Sequence, residues 1–131
     1  MRPMRTTNPT RIFIVDDSAN IRSRLATMLR ELEGVELVGE AATAREAIDG
    51  IACLDPHSVL LDLGLPDASG VEVLRAVAPR RPATVFVVLT NHSEPQYRRA
   101  CERAGAAYFL DKSSEFHRVG EVIQRIASTR H

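Results

Sequence analysis

The feature that most constrains the fold is an alternation of strand-like and helix-like segments along the whole chain. Five short runs rich in apolar residues have the pattern of β-strands, and a stretch with helical periodicity follows each of them. The five runs occupy residues 11–15, 35–41, 58–61, 84–90 and 106–110. Because strands joined through helices pair in parallel by right-handed crossovers, the sequence predicts an α/β protein with one parallel sheet.

The predicted strands differ in how completely they are apolar. The first, third and fourth are almost continuous in apolar residues, as expected for strands covered by helices on both faces. The second alternates between apolar and charged residues, which favours a position near an edge. We therefore predict an open, flavodoxin-like sheet with strand order 2-1-3-4-5 and a switch point between strands one and three. Five units are too few to close a barrel.

Several helix ends are marked in the sequence. Gly34 is expected to close the first helix in a left-handed conformation, and Thr43 and Glu46 form a capping box at the start of the second. The fourth helix is expected to end at Gly105, and the fifth to offer Phe116, Val119, Val122, Ile123 and Ile126 to the core. These signals predict five helices in total.

The length and charge of the chain limit its organisation and its partners. With 131 residues it has the size of one domain, predicted over residues 11–128 between an N-terminal tail (1–10) and a C-terminal tail (129–131). The first residues contain no apolar run, so we predict neither a signal peptide nor a membrane anchor, and a cytoplasmic location. The 17 basic residues balance the 17 acidic ones, which gives no overall field toward nucleic acid or membrane.

Polar side chains follow four of the five predicted strands. In chain order they are Asp16 and Asp17, Asp62, Thr90, and Asp111 with Lys112. Open parallel sheets bind ligands at the carboxyl ends of their strands, near the switch point. The sequence therefore predicts that these side chains converge on one site.

Three carboxylates at one site need a cation, because two unit charges at ~4 Å repel by on the order of 4 kcal/mol at an effective dielectric of about 20. Lys112 supplies one positive charge, and a divalent ion such as Mg²⁺, bound by carboxylate and backbone oxygens, would supply the rest. Gly64 leaves its carbonyl free of side-chain obstruction. Between the ammonium of Lys112 and the hydroxyl of Thr90, the carboxylate of Asp62 is suited to attack a phosphoryl group.

The strand ends carry four recognisable pieces of sequence: "VDD" at 15–17, "LLDLGLPDASG" at 60–70, "VLTN" at 88–91 and "FLDKS" at 109–113. In this order they resemble the receiver domains of bacterial two-component response regulators, over about residues 11–128. The resemblance implies that Asp62 is the phosphoacceptor for a sensor histidine kinase or a histidine phosphotransfer protein. It also implies that Asp16, Asp17, Asp62 and the backbone carbonyl of Gly64 hold Mg²⁺.

The resemblance further implies a switch. Thr90 corresponds to the family's switch hydroxyl, Lys112 to its phosphate-binding lysine, and Phe109 to its switch aromatic. Phosphorylation is expected to draw Thr90 and Lys112 inward and to let Phe109 rotate, which repacks helix four, strand five and helix five. On this interpretation, Tyr97, Phe109 and Phe116 are the candidates for a partner surface.

Three positions depart from the common family pattern or modify it. Ser113 follows Lys112 where many members have proline, so a trans bond or a rearranged loop is expected there. Gly64 and His92 occupy positions that in this family influence the lifetime of the phosphoryl group. Because Gly64 leaves room for an attacking water, we expect no unusually persistent acyl phosphate.

Some of these residues have simpler explanations. Asp16 and Asp17 also suit the cap of helix one, although the remaining strand-end residues argue against this as their only role. Phe109 suits an ordinary core position equally well.

The predicted function is a stand-alone signalling switch, a monomer or a weak phosphorylation-dependent dimer, which binds a downstream protein but not nucleic acid and turns over no external substrate. Three alternatives stay open. The first is a truncated transcription factor with its DNA-binding half beyond His131. The second is a Mg²⁺-dependent phosphatase, disfavoured because Gly64 stands where a second aspartate is usual. The third is a degenerate receiver without chemistry, disfavoured by the presence of Asp62, Thr90 and Lys112.

Overall fold

The computed structural model describes residues 8–130 and contains one parallel sheet with the strand order β2-β1-β3-β4-β5. All four neighbouring pairs of strands are parallel, so the predicted flavodoxin-like topology is confirmed. The strands are β1 (Thr10–Val15), β2 (Val35–Ala41), β3 (Ser58–Leu61), β4 (Val85–Thr90) and β5 (Ala106–Asp111). β2 and β5 form the edges, and β1 and β3 flank the switch point.

Helices cover both faces of the sheet. They are α1 (Ala19–Arg30), α2 (Ala44–Leu54), α3 (Gly70–Val77), α4 (Pro95–Ala104), α5 (Lys112–Glu115) and α6 (Val119–Thr129), with 3-10 segments at Ala78–Arg80 and Phe116–Arg118. The short α5 adds a helix to the five that the sequence predicts, because the carboxylate of Asp111 accepts hydrogen bonds from the amides of Ser113 and Ser114 directly after β5. Within residues 8–130, no helix is both long and apolar enough to cross a membrane.

Helix one ends earlier than the sequence predicts. α1 ends at Arg30, and Gly34 lies beyond it in the turn that leads into β2. Gly34 does adopt the left-handed conformation, with φ of 73°, but it closes this turn rather than the helix. Its carbonyl accepts a hydrogen bond from the Thr10 amide at 2.8 Å, which aligns β1 with β2.

Two residues that the sequence predicts to lie in the tails, Thr10 and Thr129, belong to a strand and a helix. Thr10 is the first residue of β1 and is fully buried, while residues 1–7 of the predicted N-terminal tail lie outside the described residues. At the other end, α6 continues to Thr129, and His131 lies outside the described residues. The Arg130 side chain donates to the Asn8 carbonyl at 3.3 Å and to Thr10 Oγ1 at 3.2 Å, which joins the two ends of the described chain.

The core consists of two apolar clusters, one on each face of the sheet. One face packs against α2, α3 and α4 through side chains that include Phe13, Val59 and Phe86. The other packs against α1 and α6 through Ile12, Leu60 and their neighbours. A sheet buried on both faces holds its strand ends rigidly, and the polar residues of interest lie at those ends.

Candidate functional site

The two buried carboxylates of the site leave neighbouring strands at the switch point. Asp16 follows β1 and Asp62 follows β3, and both side chains are buried. Their backbones extend the sheet pairing by one step, because the Asp62 amide donates to the Val15 carbonyl at 2.9 Å and the Asp16 amide to the Ala41 carbonyl at 3.1 Å. The sheet therefore fixes where both carboxylates point.

Lys112 lies between these two carboxylates. Its Nζ is 2.7 Å from Asp16 Oδ2 and 2.9 Å from Asp62 Oδ2, and the lysine side chain is only 11% exposed. Burial by itself lowers the pKa of Lys112, but the hydrogen bonds and negative charges of Asp16 and Asp62 outweigh it and raise the pKa above its ordinary value. Lys112 is therefore a permanent cation at this site.

Asp17 completes a cluster that suits a divalent cation. One carboxylate oxygen from each of Asp16, Asp17 and Asp62 lies within 4.8 Å of the others, and Asp17 is exposed. Three carboxylates with a single ammonium leave an excess of negative charge, and hard oxygen ligands of this kind match Mg²⁺. These residues, which the sequence predicts as metal ligands, are thus brought together by the fold.

Ser18, not Asp16 or Asp17, caps α1. Its hydroxyl accepts a hydrogen bond from the Ile21 amide at 3.2 Å, while its own amide donates to Asp16 Oδ1 at 2.9 Å. Neither Asp16 nor Asp17 therefore caps α1, which was the simpler role that the sequence also allowed. Arg22 further fixes the strand end, because its Nη1 donates to the Asp16 carbonyl at 2.6 Å and its Nε to Glu40 at 3.0 Å.

The loop after Asp62 is held at two points. A Cβ on Gly70 would lie 2.4 Å from the Asp62 carbonyl oxygen, so only glycine permits this close approach. The carboxylate of Asp67 accepts hydrogen bonds from the Ala44 and Arg45 amides at the start of α2, and these bonds lower the pKa of Asp67. The roles of Gly70, Asp67 and Arg22 are not among the sequence predictions. Two of these residues, Asp67 and Gly70, stand in the piece at 60–70 that carries the family resemblance.

Thr90 and His92 are joined next to this loop. Thr90 is fully buried, and its Oγ1 accepts a hydrogen bond from the His92 amide at 3.1 Å. The imidazole of His92 lies over Gly64, where an added Cβ would meet Nε2 at 3.3 Å. A cleft of about 380 Å³ opens here, and its lining residues are Asp16, Asp17, Ser18, Ile21, Asp62, Gly64, Asn91, His92 and Lys112. Thr90 is fully buried and is not one of the residues that line the cleft.

The turn after Lys112 differs from a proline-containing loop. No peptide bond within residues 8–130 is cis, so the bond between Lys112 and Ser113 is trans, and α5 begins at once. Asp111 organises the turn, and hydrogen bonds from the hydroxyls of Ser93 and Ser113 hold its pKa well below the ordinary range. Asp111 thus links the loop after β4 to the loop after β5.

The three residues predicted as a partner surface lie in different environments. Phe109 is only 7% exposed, and the Arg98 guanidinium covers its ring at 4.7 Å, so Phe109 adds no exposed area to that surface. Phe116 is half-buried under Arg24, at a groove of about 690 Å³ beside α1. Tyr97 on α4 is 39% exposed. Tyr97 belongs to α4, which packs on one face of the sheet, whereas Phe116 packs against the cluster on the other face.

The fold and site define a class of protein: a doubly wound parallel α/β domain with an acidic cleft at its switch point. The sequence profile of the response regulator receiver domain matches residues 12–124. The chain therefore belongs to the response regulator receiver domain family, as its resemblance to that family predicts. As a family, receiver domains are signalling modules that interact with histidine kinases and downstream effectors.

Individual relatives agree with this assignment. The chain is 38% identical to the transcriptional regulatory protein PdtaR of Mycobacterium tuberculosis over 104 residues, which is 79% of this chain and 50% of that protein. It is 37% identical to a protein-glutamate methylesterase/protein-glutamine glutaminase of Myxococcus xanthus over 110 residues, covering 83% of this chain and 32% of that protein. The chain thus spans half or less of these two relatives.

A solved structure shows the same fold. The CheY-like response regulator receiver domain protein of Methanospirillum hungatei superposes with a TM-score of 0.84 at 28% identity, covering 92% of this chain and 95% of that chain.

Proposed function

We propose that Asp62 accepts a phosphoryl group from a phosphohistidine of a sensor histidine kinase or of a histidine phosphotransfer protein. The observation that carries this proposal is the ammonium of Lys112, held within 2.9 Å of Asp62 and 2.7 Å of Asp16 at the floor of an open cleft. A buried carboxylate beside a fixed cation and an accessible space has both a nucleophilic oxygen and a partner for phosphoryl charge.

In the transfer, a P–O bond forms to Asp62 while the P–N bond breaks and returns its electron pair to the imidazole ring of the donor. Asp62 Oδ2 is engaged by Lys112, whereas Oδ1 has only a long contact of 3.3 Å with the Gly64 amide. Lys112 is placed to pair with a phosphoryl oxygen. The Thr90 hydroxyl, whose oxygen accepts from the His92 amide, keeps its proton for donation to the same group.

Asp16, Asp17, Asp62 and the backbone carbonyl of Gly64 would hold Mg²⁺. When bound, the ion supplies positive charge that offsets the negative charge of the phosphoryl oxygens. Without it, three carboxylates and one ammonium leave a negative cleft that repels the incoming anion.

The change at Asp62 is proposed to be read by a downstream protein at the surface formed by α4, β5 and the segment after β5. Tyr97 and Phe116 offer side chains there, whereas Phe109 is buried in this structure. The location in the cytoplasm, the lack of direct nucleic-acid binding, and a monomer or weak dimer remain predictions from the sequence.

The proposal is tested by intact mass after incubation with acetyl phosphate and Mg²⁺. We expect one phosphoryl group to add to the wild type and none to Asp62→Asn or to wild type in EDTA. Asp49→Asn is a matched control, because Asp49 is an exposed carboxylate on α2 that pairs with Arg45. It should be phosphorylated like the wild type. If the wild type gains no phosphoryl group and binds no beryllofluoride, a receiver that acts without chemistry becomes the better explanation.

The lifetime of the acyl phosphate is proposed to depend on Gly64 and His92, which lie against each other at the cleft. The His92 imidazole lies over Gly64, at 3.3 Å from where a Cβ would stand, so the access of water to Asp62 depends on the position of this ring. We still expect hydrolysis not to be unusually slow, and a lifetime of hours or longer would contradict this. Turnover of external phosphate esters is not expected. Steady release of phosphate from such an ester in excess of the protein would support the phosphatase alternative instead.

A further inference from the structure

We propose that His92 carries the state of the cleft to Tyr97 on α4, by a route that does not require Phe109 to move. This inference rests on the proposed function, because it needs a phosphoryl group at Asp62. It assigns to His92 a positioning role in signal output and to Tyr97 the role of the surface residue that responds.

The inner side of this route lies in the cleft. His92 and Asp62 both line it, and the imidazole fills the space next to Gly64 that a side chain at that position would use. A ring nitrogen here can donate to an oxygen of a phosphoryl group on Asp62. His92 is also tied to the buried hydroxyl of Thr90 through its amide, so any displacement of Thr90 moves the His92 backbone as well.

The outer side of the route is a ring contact. The centroids of His92 and Tyr97 are 5.7 Å apart with an interplanar angle of 58°, which lies in the range of favourable tilted aromatic pairs. Among residues 8–130, Tyr97 is the one large hydrophobic side chain that is exposed, at 39%. Rotation of the His92 ring toward the cleft therefore removes a contact from an exposed aromatic side chain.

The contact partner of His92 lies in the first turn of α4. The N-cap residue, Glu94, makes no side-chain capping hydrogen bond, but its carbonyl accepts from the Tyr97 amide at 3.0 Å, and Pro95 stands at the start of the helix. The backbone of this turn is therefore held, and a change at His92 reaches the Tyr97 side chain through the ring contact.

Phe109 offers little surface for such a response. Its ring is only 7% exposed, and Arg98 of α4 covers it at 4.7 Å. A ligand shifts a conformational equilibrium only through contacts that differ between the two states. In this proposal the contact that differs is the one between the His92 ring and a phosphoryl group on Asp62, so Phe109 need not move.

The test is ¹⁹F NMR of the protein labelled with 3-fluorotyrosine, titrated with beryllofluoride and Mg²⁺. The chain has two tyrosines, so Tyr97→Phe assigns both resonances and half-buried Tyr108 on β5 serves as a reference. The bound beryllofluoride gives its own fluorine signals in the same spectrum and reports occupancy of Asp62 independently. The key variant is His92→Phe, which keeps a ring beside Tyr97 but has no nitrogen to donate. Phe109→Leu tests the alternative route.

We expect saturating beryllofluoride to shift the Tyr97 resonance in the wild type and in Phe109→Leu. In His92→Phe most of this shift should be lost although the bound beryllofluoride signals persist. A Tyr97 shift of wild-type size in His92→Phe, or no Tyr97 shift in a wild type with bound beryllofluoride, would overturn the inference and leave the proposed function intact. Absence of bound beryllofluoride in the wild type would overturn both.

Discussion

Polar groups have opposite environments at the two ends of the parallel strands, which we call the carboxyl edge and the amino edge of the sheet. At the carboxyl edge, the buried carboxylates of Asp16 and Asp62 share one ammonium from Lys112, and exposed Asp17 adds a further negative charge. At the amino edge, polar side chains are satisfied largely by the backbone. The Ser58 hydroxyl donates to the Val85 carbonyl at 2.7 Å, and His57 Nδ1 accepts from the Arg11 amide at 2.9 Å.

This comparison indicates that the carboxyl edge lowers the folding stability of the domain. At the amino edge the hydrogen bonds of Ser58 and His57 to the backbone are neutral, and the charged groups near them, Arg11 and Arg130, donate to neutral oxygens. The carboxyl edge keeps like charges close together, which destabilises the metal-free protein but favours a divalent cation. Four substitutions, with three control variants, probe this contrast.

The largest expected effect is at Lys112. Lys112→Met leaves the two buried carboxylates without their cation and should lower the free energy of unfolding by about 3–5 kcal/mol in metal-free protein. Urea unfolding in EDTA measures this. At the amino edge, Arg130→Met removes hydrogen bonds of 3.3 Å to the Asn8 carbonyl and 3.2 Å to Thr10 Oγ1 and a 3.0 Å contact with His57 Nε2, and should cost only about 1–2 kcal/mol. Equal losses in the two variants would abolish the contrast.

The next effect concerns the space behind Asp62. Gly70→Ala would place a Cβ 2.4 Å from the Asp62 carbonyl oxygen and 2.9 Å from Leu63 Cα, and neither backbone atom is free to move. We expect a loss of about 1–3 kcal/mol in thermal or urea unfolding.

Gly120→Ala is the matched control for this effect. Its Cβ would meet nothing closer than Met28 Sδ at 3.9 Å, and it lies inside α6. Because alanine favours helices, this variant should gain roughly 0.5–1 kcal/mol. A neutral Gly70→Ala would show that the loop relaxes without strain.

A smaller effect, an increase in the free energy of unfolding, is expected at Asp17. Asp17→Asn removes one negative charge from a cluster whose oxygens lie within 4.8 Å, so metal-free protein should become more stable by at most about 1 kcal/mol, less in salt. Its affinity for Mg²⁺ should fall. Differential scanning fluorimetry with and without Mg²⁺ measures both.

Asp49→Asn, which removes an equally exposed carboxylate that is paired with Arg45, provides the comparison for Asp17. It should lose up to about 0.5 kcal/mol and leave Mg²⁺ affinity unchanged. If Asp17→Asn destabilises the metal-free protein instead, the carboxylates do not repel each other in the way the geometry indicates.

The smallest effect is a pH dependence at the amino edge. Burial, followed by the charges of Arg130 and Arg11, lowers the pKa of His57 below its ordinary value of 6.5, although Asp55 partly opposes this. The unfolded chain therefore binds a proton at His57 more readily than the folded protein does, and this contribution to stability is complete above pH 6.5 and falls as the pH drops below it.

Unfolding midpoints between neutral and mildly acidic pH should therefore decline less in His57→Gln than in the wild type. Lys112 provides the comparison at the carboxyl edge, because its raised pKa keeps it charged throughout this range. An identical pH profile for the wild type and His57→Gln would show that His57 does not contribute.

Much of the fold followed from local sequence. Apolar runs and helical periodicity predicted the strand order and the presence of Asp16, Asp62, Thr90 and Lys112 at strand ends, because these patterns depend on residues close together in the chain. The boundaries were less accurate. Gly34 looked like a helix cap, yet α1 ends at Arg30. Asp111 gave no advance sign that it would cap a further helix.

What the sequence by itself determined is the order of the elements and the chemical groups that leave each strand. The tertiary structure alone decided how those groups meet. It places Lys112 between Asp16, 96 positions away, and Asp62, 50 positions away, packs Gly70 against the Asp62 carbonyl, and buries Phe109 under Arg98. The reason is physical: periodicity encodes which face a residue occupies, whereas side-chain distances across distant segments depend on how the whole core packs.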